Sequence, residues 1–505
     1  MKLDYFKNNI FVVVILFVLS CSGGGSNSSS NDVNNNNSGD DEEDRAAPDL
    51  GGIDAPVNEA EAPAADSINL CGNLIVDVPE TCDEDSVFCS ACQPDLYEIR
   101  SAQEVGADRV GGFSISPRGD YAIVGLSGNN RAASLYYHPL SPKGEVRNIG
   151  QYNLVALNTS PVTYNDSGSI AYFSAQVGES IKIFSFNALN PDQQPQEINL
   201  ATPENMMPLS IVYADGRQFY YLAMLRDNNR DESIPYLLHY NRLTRRTQIV
   251  ADNVDYELKI PVVIRDVVYL VRFEEVNNEF YPHLFRASIG ANGFELTKLT
   301  GSIEAPKRIA NWSVAPNNNF AVVAVETDAS SYKYSIHKIN FLNNNALQLL
   351  LTFKRTAGLD ANTLVVHPDS RHLLFNTRDG QNGAGPHNLY SLLLDAQAPP
   401  ALLTGVTANP AQPYKYNSGN LFLQIDALGD IYFLADRVDE SPQPTYELLK
   451  AQPSGASVAV YSDFLPAEAS INAFIVSGTP SEVGVLWRPL NDGLGLPAIT
   501  IKKNN

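Results

Sequence analysis

Residues 96–505 contain eight short, mostly apolar strings that recur at nearly constant intervals. Their first residues are 48, 49, 48, 53, 52, 59 and 52 positions apart. A period of about 50 residues indicates a repeated structural unit, which limits the fold more than any other feature of this chain. The strings are Tyr121–Ser127, Ser169–Ala175, Gln218–Met224, Asp266–Arg272, Asn319–Val325, Arg371–Thr377, Asp430–Asp436 and Glu482–Arg488.

Each unit contains segments that the sequence predicts to be four strands. Most strings follow a turn rich in Pro, Gly, Asn and Asp, such as Ser116–Gly119 or His367–Ser370, with one strand before the turn and two after the string. Four antiparallel strands per unit are typical of a β-propeller blade, whose middle strands are apolar because neighbouring blades cover both faces. The sequence therefore predicts an all-β fold, a β-propeller of eight four-stranded blades, with seven blades as the alternative.

The two ends of this region predict how the propeller closes. The last unit holds Phe474–Ser477, Glu482–Arg488 and Ala498–Lys502 without a fourth strand, while Leu96–Arg100 precedes the first unit as an extra strand. We expect residues 96–100 to complete the last blade, because closing the ring removes the open edge of the sheet. The predicted propeller domain is 96–505.

The first twenty residues have the features of a secretory signal. Lys2 and Lys7 precede an apolar run over 10–19, which is shorter than the roughly 20 residues of a membrane-spanning helix. Val18-Leu19-Ser20-Cys21 resembles the lipobox of bacterial lipoproteins, which implies that 1–20 is a signal peptide and that Cys21 carries the lipid. An ordinary signal peptide with an incidental cysteine is the alternative. Ser22, rather than Asp, favours the outer membrane, with a periplasmic or surface-exposed orientation left open.

Residues 21–69 have the composition of a disordered acidic tether, because so few large apolar residues cannot bury enough surface to fold. The whole chain has a formal net charge of -22. Residues 22–95 carry 17 Asp and Glu against one Arg, a net of -16, whereas residues 96–505 carry 39 acidic against 32 basic side chains, a net of -7. This balance argues against a nucleic-acid partner, which would require a surplus of Lys and Arg.

Residues 70–95 are predicted to be a small module around Cys71, Cys82, Cys89 and Cys92. Two disulfides with open pairing are expected in an exported protein, and a structural zinc site is the alternative because the last two cysteines have C-x2-C spacing. The pattern resembles the Cys-rich repeat of surface proteins from myxobacteria and their relatives, which implies a disulfide-stapled module without an activity. The module's acidic residues leave Ca²⁺ open as a ligand, although their spacing does not fit an EF-hand.

The turns of the propeller region carry a second resemblance. Phe113-Ser114-Ile115-Ser116-Pro117-Arg118-Gly119 and Asn311–Asn317 resemble the xxWSPDGxxIAF repeat of the TolB and WD-like propellers. The resemblance covers 96–505 at the level of the repeat and implies the fold. The sequence shows no pattern for the small α/β domain that precedes the TolB propeller, so the binding partner of that family is not implied.

The sequence contains no recognisable catalytic motif. G-x-S-x-G, H-E-x-x-H and Walker-type loops are absent, and none of the seven histidines forms a pair at i, i+2 or i, i+4. His367 and His372 flank one predicted turn and could face each other, but a solvated turn is favoured over a site. We therefore predict no catalytic residue, no metal site and no cofactor, apart from the open question of Ca²⁺.

The predicted loops between the second and third strands form the richest candidate surface. In a ring they emerge on one face, and loops on a rigid scaffold commonly carry binding residues. Ordinary solvated loops are the alternative. The candidate binding residues are Arg226, Asp227, Arg230, Asp231, Glu274, Glu275, Phe280, Tyr281, Tyr332, Asp439 and Glu440.

Two functions are compatible with this sequence. The favoured one is a lipid-anchored envelope protein whose propeller is a non-catalytic interaction module for an envelope or extracellular protein or glycan. The alternative is a propeller enzyme of the lactonase, lyase or glycosidase type with a site at the central channel. Such sites collect residues from separate blades, so linear motifs would miss them.

Overall fold

The computed structural model describes residues 89–503 with gaps. The signal segment, Cys21, the tether, Cys71, Cys82 and Cys92 lie outside the described residues, so those predictions stay predictions. Among the described residues, no helix is long and apolar enough to cross a membrane. The gaps are 91–92, 95, 100–108, 128–132, 141–145, 155–161, 226–233, 257, 292, 302, 304–307, 329–332, 354–356, 380–386, 397, 405–413, 417–422, 438–445, 456–457, 466–468, 478–481 and 490–497.

The described chain begins with three short strands and continues as successive antiparallel sheets. Strand β1 (Cys89–Ser90) pairs with β2 (Gln93–Pro94), and β3 (Leu96–Ile99) joins the last sheet. Sheet 1 holds β4 (Arg109–Ile115), β5 (Tyr121–Ser127), β6 (Ala133–Pro139) and β7 (Arg147–Leu154). Sheet 2 holds β8 (Thr163–Tyr164), β9 (Ile170–Val177), β10 (Ser180–Asn187) and β11 (Gln196–Ile198). Sheet 3 holds β12 (Met206–Ala214), β13 (Gln218–Leu225), β14 (Ile234–Asn241) and β15 (Arg246–Asp252).

The following sheets repeat the same meander. Sheet 4 holds β16 (Val262–Ile264), β17 (Val267–Val276), β18 (Glu279–Gly290) and β19 (Gly293–Lys298). Sheet 5 holds β20 (Arg308–Val314), β21 (Phe320–Asp328), β22 (Lys333–Asn340) and β23 (Ala346–Phe353). Sheet 6 holds β24 (Ala357–Val366), β25 (His372–Asp379), β26 (His387–Leu393) and β27 (Ala401–Leu402).

The last two sheets depart slightly from the four-strand pattern. Sheet 7 holds β28 (Tyr414–Tyr416), β29 (Leu423–Ile425), β30 (Ile431–Arg437), β31 (Tyr446–Ala451) and β32 (Val458–Val460), and both β28 and β29 pair with β30. Sheet 8 holds β33 (Ala469–Ser477), β34 (Glu482–Pro489) and β35 (Ala498–Lys503), with β3 paired to β35 as its fourth strand. The all-β fold with repeated four-stranded sheets is therefore confirmed, and Leu96–Ile99 occupies the strand position that the sequence predicted for it.

One connection was not predicted. The end of β7 leaves sheet 1 and pairs with β9 of sheet 2, at Asn153↔Gln176 and Leu154↔Ala175. Strand β8 covers only two residues of β9, so the rest of that edge offers unpaired backbone groups. Strand β7 supplies partners for them.

The eight apolar strings are the second strands of the eight sheets, and each begins within one residue of the observed strand. Alternate residues of these strands are buried on opposite faces. In β21, Ala321, Val323 and Val325 pack against sheet 4. Phe320 and Val322 pack against sheet 6. Both faces of the strand are covered, which explains why the string is apolar without alternation.

Apolar clusters of the same kind join every pair of consecutive sheets, from sheets 1 and 2 to sheets 7 and 8. A further cluster joins the last sheet to the first, where Ile499 and Ile501 of β35 pack with Phe113 and Val124 of sheet 1. Sheets 8 and 1 are thus in contact in the same way as sheets that follow each other in the chain.

The side chain of Ile501 at the junction of sheets 8 and 1 is fully buried, which predicts the effect of shortening it. Replacing Ile501 with Ala should lower the free energy of unfolding by about 2–5 kcal/mol, because it removes buried methyl groups and leaves a cavity between sheets 8 and 1. Leu428→Ala is the matched control, since that side chain is exposed, and it should change stability by less than about 0.5 kcal/mol. Equal effects in urea unfolding would contradict the packing at this junction.

Candidate functional site

The structure describes four of the eleven predicted binding residues, Glu274, Glu275, Phe280 and Tyr281. They do not lie in a loop, as the sequence suggested, but in the facing strands β17 and β18. Asn277 and Asn278 alone form the turn, with φ of 56° and 61°. Two consecutive left-handed residues are the requirement of a type I′ hairpin turn, and Asn tolerates this conformation well. The other seven residues lie outside the described part of the chain: Arg226, Asp227, Arg230, Asp231, Tyr332, Asp439 and Glu440.

The register of this hairpin separates the four side chains into two pairs. Glu275 lies opposite Phe280, and Glu274 lies opposite Tyr281, so the pairs occupy opposite faces. Tyr281 is buried and lies under the guanidinium of Arg308 from sheet 5, 5.8 Å from the ring centroid. Phe280 is 53% exposed. Glu275 and Phe280 therefore form an accessible pair, whereas Tyr281 belongs to the packing between sheets 4 and 5.

A different set of turns carries polar contacts between the sheets. These turns connect the first and second strands, and side chains at or next to them bond to the neighbouring sheet. Sheets 7 and 8 are joined close by, through the Gln424 amide and the backbone of Phe474 and Val476. The other contacts are Tyr121 Oη–Gly168 O at 2.6 Å, Tyr213 Oη–Asp166 Oδ2 at 3.2 Å, Gln218 Nε2–Asp266 Oδ1 at 2.7 Å, Tyr269–Asn318, Asn317 N–Ser370 Oγ at 3.3 Å, His367 Nε2–Gly429 O at 2.7 Å and Ser477–Ser116.

The turn of sheet 6 brings together two imidazoles and a carboxylate. His367 closes the turn by donating its backbone N–H to His372 O at 2.9 Å, and Ser370 N donates to His367 O at 2.8 Å. Asp369 lies between the two rings, with Oδ2 2.6 Å from His372 Nδ1 and Oδ1 3.0 Å from His367 Nδ1. Potential ligand atoms of the three side chains all lie within 4.8 Å of one another. We call these three residues the histidine turn.

The hydrogen bonds of the histidine turn define its electrostatics. Burial alone would raise the pKa of the Asp369 carboxyl, but bonds from the backbone N–H groups of Arg371 and His372 and from the His372 imidazole hold that pKa well below its usual range. The carboxylate is therefore ionised at neutral pH. His367 is buried, whereas the side chains of His372 and Asp369 are 19% and 32% exposed. One side of the cluster is thus open to solvent.

The sequence predicted the two histidines to flank this turn but ranked a solvated turn above a site, and it did not include Asp369. Metal-binding histidine pairs usually occur at i, i+2 or i, i+4. Here the histidines are five residues apart, and the closed turn makes them neighbours. The signal in the sequence is His-Pro-Asp-x-x-His across a predicted β-turn, in which Asp caps the backbone and faces both rings.

No family model matches this sequence, and no curated protein matches it either. Among solved structures, the chain is similar to dipeptidyl peptidase 4 of Porphyromonas gingivalis, with a TM-score of 0.49, 11% identity, and coverage of 79% of this chain and 61% of that chain. The chain is also similar to oligogalacturonate lyase in complex with manganese, with a TM-score of 0.42, 8% identity, and coverage of 79% of this chain and 90% of that chain. For the β-propeller domain of the Trilobed protease from Pyrococcus furiosus, the TM-score is 0.40 and the identity 11%, with coverage of 68% of this chain and 92% of that chain. The chain spans about three fifths of the length of the Porphyromonas peptidase.

Gly429 supports the His367 ring, and this contact can be tested. Gly429 has φ of 88°, and a Cβ there would lie 2.8 Å from His367 Cε1. Gly216 in the corresponding turn of sheet 3 has φ of 87° and open space around the same position. We expect Gly429→Ala to lower the free energy of unfolding by about 1–3 kcal/mol more than Gly216→Ala, because only the former adds a clash to the shared backbone strain.

Thermal or urea unfolding of the two variants measures this difference. Since the backbone cost is the same at both positions, the difference isolates the contact with the imidazole. If the two alanine variants lose the same stability, the ring of His367 moves away at little cost and is not held in place by Gly429.

Proposed function

We propose that the eight sheets form a closed, eight-bladed β-propeller over residues 96–505. Three observations support the ring. An apolar cluster joins sheet 8 to sheet 1 as clusters join all other neighbours. Strand β3 from before sheet 1 completes sheet 8. Contacts near the turns between first and second strands, which join other neighbouring sheets, also join sheet 8 to sheet 1: the Ser477 hydroxyl donates to Ser116 O, and the Glu482 carboxylate lies against Gly119.

We propose that this propeller is a non-catalytic interaction module of a lipid-anchored protein in the cell envelope. Its anchor is the lipidated Cys21, followed by the acidic tether 21–69 and a Cys-rich module, 70–95, with two disulfides. The outer membrane is the proposed location, and an envelope or extracellular protein or glycan is the proposed partner. Nucleic acid is not a proposed partner.

The observation that carries the interaction function is the exposed pair Glu275 and Phe280. Phe280 is the only aromatic side chain among the large exposed hydrophobic residues of the described chain. It lies on a hairpin with continuous pairing from Phe273↔Pro282 to Val276↔Glu279, so its backbone is held in place before binding. An exposed aromatic side chain on a paired strand, next to a carboxylate, is typical of an interface anchor with a polar rim.

The anchor is tested by replacing Cys21 with Ser. The variant should leave the membrane fraction, because each CH₂ of a lost acyl chain removes about 0.8 kcal/mol of membrane affinity. Ser22→Asp is the control, since it preserves the cysteine and should stay with membranes. Cell fractionation measures both variants. Retention of Cys21→Ser on the membrane would exclude the lipoprotein assignment.

The interaction surface is tested by photo-cross-linking in envelope preparations, with the cross-linker placed at Glu275. We expect a discrete conjugate whose yield falls about tenfold in a Phe280→Ser background, because loss of an aromatic anchor that the partner would cover removes about 1.4 kcal/mol of binding energy. Leu342→Ser is the control, since Leu342 is 78% exposed in the short 3-10 helix Phe341–Asn343 that connects β22 and β23. Equal yields in both backgrounds would rule out Phe280 as an anchor.

A propeller enzyme of the lactonase, lyase or glycosidase type is the second candidate function. The observation that favours it is the histidine turn, because imidazoles and a carboxylate are the groups used in acid–base and metal-assisted catalysis. All three residues come from one turn of one sheet, whereas propeller active sites collect residues from several blades. This difference places the enzyme second.

A further inference from the structure

The histidine turn has an arrangement that capping of the turn alone does not require. Asp215 in the turn of sheet 3 receives the N–H groups of Arg217 and Gln218 at 2.8 and 2.9 Å, and no histidine belongs to that turn; the ring of His239 from β14 contacts Gln218 Oε1 at 3.0 Å. Asp369 receives the N–H groups of Arg371 and His372 at 2.7 and 3.0 Å in the same manner. The two histidines are therefore an addition to a turn that is already capped.

The buried histidine presents one defined nitrogen to the cluster. His367 Nε2 lies 2.7 Å from Gly429 O, and a carbonyl oxygen can only accept, so Nε2 carries the hydrogen. In the neutral ring this leaves the lone pair on Nδ1, which accepts a long hydrogen bond from Asp369 N at 3.2 Å that a bound ion would replace. A backbone carbonyl that holds the second ring nitrogen is the usual support of a metal-binding histidine, because it fixes both tautomer and orientation.

The two oxygens of the Asp369 carboxylate have different partners. Oδ1 accepts the two backbone N–H groups that stabilise the turn. Oδ2 contacts only the ring of His372 among the bonds described for this side chain, at 2.6 Å. One oxygen can therefore bind an ion while the other continues to cap the turn.

We propose that His367 Nδ1, Asp369 Oδ2 and His372 Nδ1 bind one divalent transition-metal ion of the zinc type. Two imidazoles and one carboxylate are a recurrent ligand set for such ions, and three protein ligands leave a position open for water or a partner's side chain.

The observed spacing requires only a small adjustment. Ligand bonds of about 2.0–2.2 Å keep two ligands of one ion within about 4 Å of each other. The three groups already lie within 4.8 Å. The partly exposed ring of His372 can rotate, whereas His367 is held by Gly429, so the site closes by movement of its outer side chain. This inference is independent of the anchor and of the Phe280 surface.

The test is calorimetric titration of the full chain, with its cysteines oxidised, with Zn²⁺ alone. The compared proteins are the wild type, Asp369→Asn, His372→Asn and the control Asp215→Asn. Asparagine keeps an oxygen for the backbone cap and removes the charge, so both Asp variants retain a capped turn. Zn²⁺ bound by the tether or the Cys-rich module is the same in all four proteins and cancels in the comparison.

We expect the wild type and Asp215→Asn to bind one equivalent more than Asp369→Asn and His372→Asn, or to bind it at least about tenfold more tightly. The thermal midpoint of the first two proteins should also rise with Zn²⁺, because the ion binds only the folded turn. If Asp369→Asn fails to fold, His372→Asn alone decides. Identical Zn²⁺ binding in the wild type and His372→Asn, or no binding by the wild type, would overturn the proposal.

Discussion

The burial of each second strand between two neighbouring sheets is the interaction on which the rest of this structure depends. Tyr220 and Leu222 of β13 pack toward sheet 4, while Phe219 and Tyr221 pack toward sheet 2. A strand that is apolar on both faces is stable only if both neighbours are present. The same requirement applies at the two ends of the repeated region, where β35 of sheet 8 packs against sheet 1.

This packing also brings the turns of adjacent sheets into contact. When the sheets stack, the turn between the first and second strands of one sheet lies beside the corresponding turn of the next sheet. Polar side chains at or near these turns bond to the neighbouring sheet, as Tyr121 does at Gly168 O and Gln218 at Asp266. The histidine turn is a variant of the same arrangement. His367 makes the link to sheet 7 through Gly429, and the turn brings two imidazoles and an ionised carboxylate together without losing its backbone cap.

Much of the fold was readable from the sequence, and less of the candidate site was. The second strands were located to within one residue at their start, because their apolar strings and preceding turns are local signals. The sequence places Glu274, Glu275, Phe280 and Tyr281 in a loop, yet Asn277 and Asn278 form a two-residue turn and the residues on either side are strand. Which side chains remain exposed depends on the neighbouring sheet, and Arg308 covers Tyr281 but not Phe280.

The sequence by itself determined the all-β repeat and the strand that precedes the first unit and completes the last sheet, and it predicts a lipobox at Cys21. These follow from periodicity, turn chemistry and short motifs, which are properties of neighbouring residues. Only the tertiary structure decided that Tyr281 is buried and Phe280 accessible, and that His367, Asp369 and His372 share one open corner. The physical reason is that exposure and ligand geometry are set by contacts between residues that are distant in the chain, such as Arg308 with Tyr281 and Gly429 with His367.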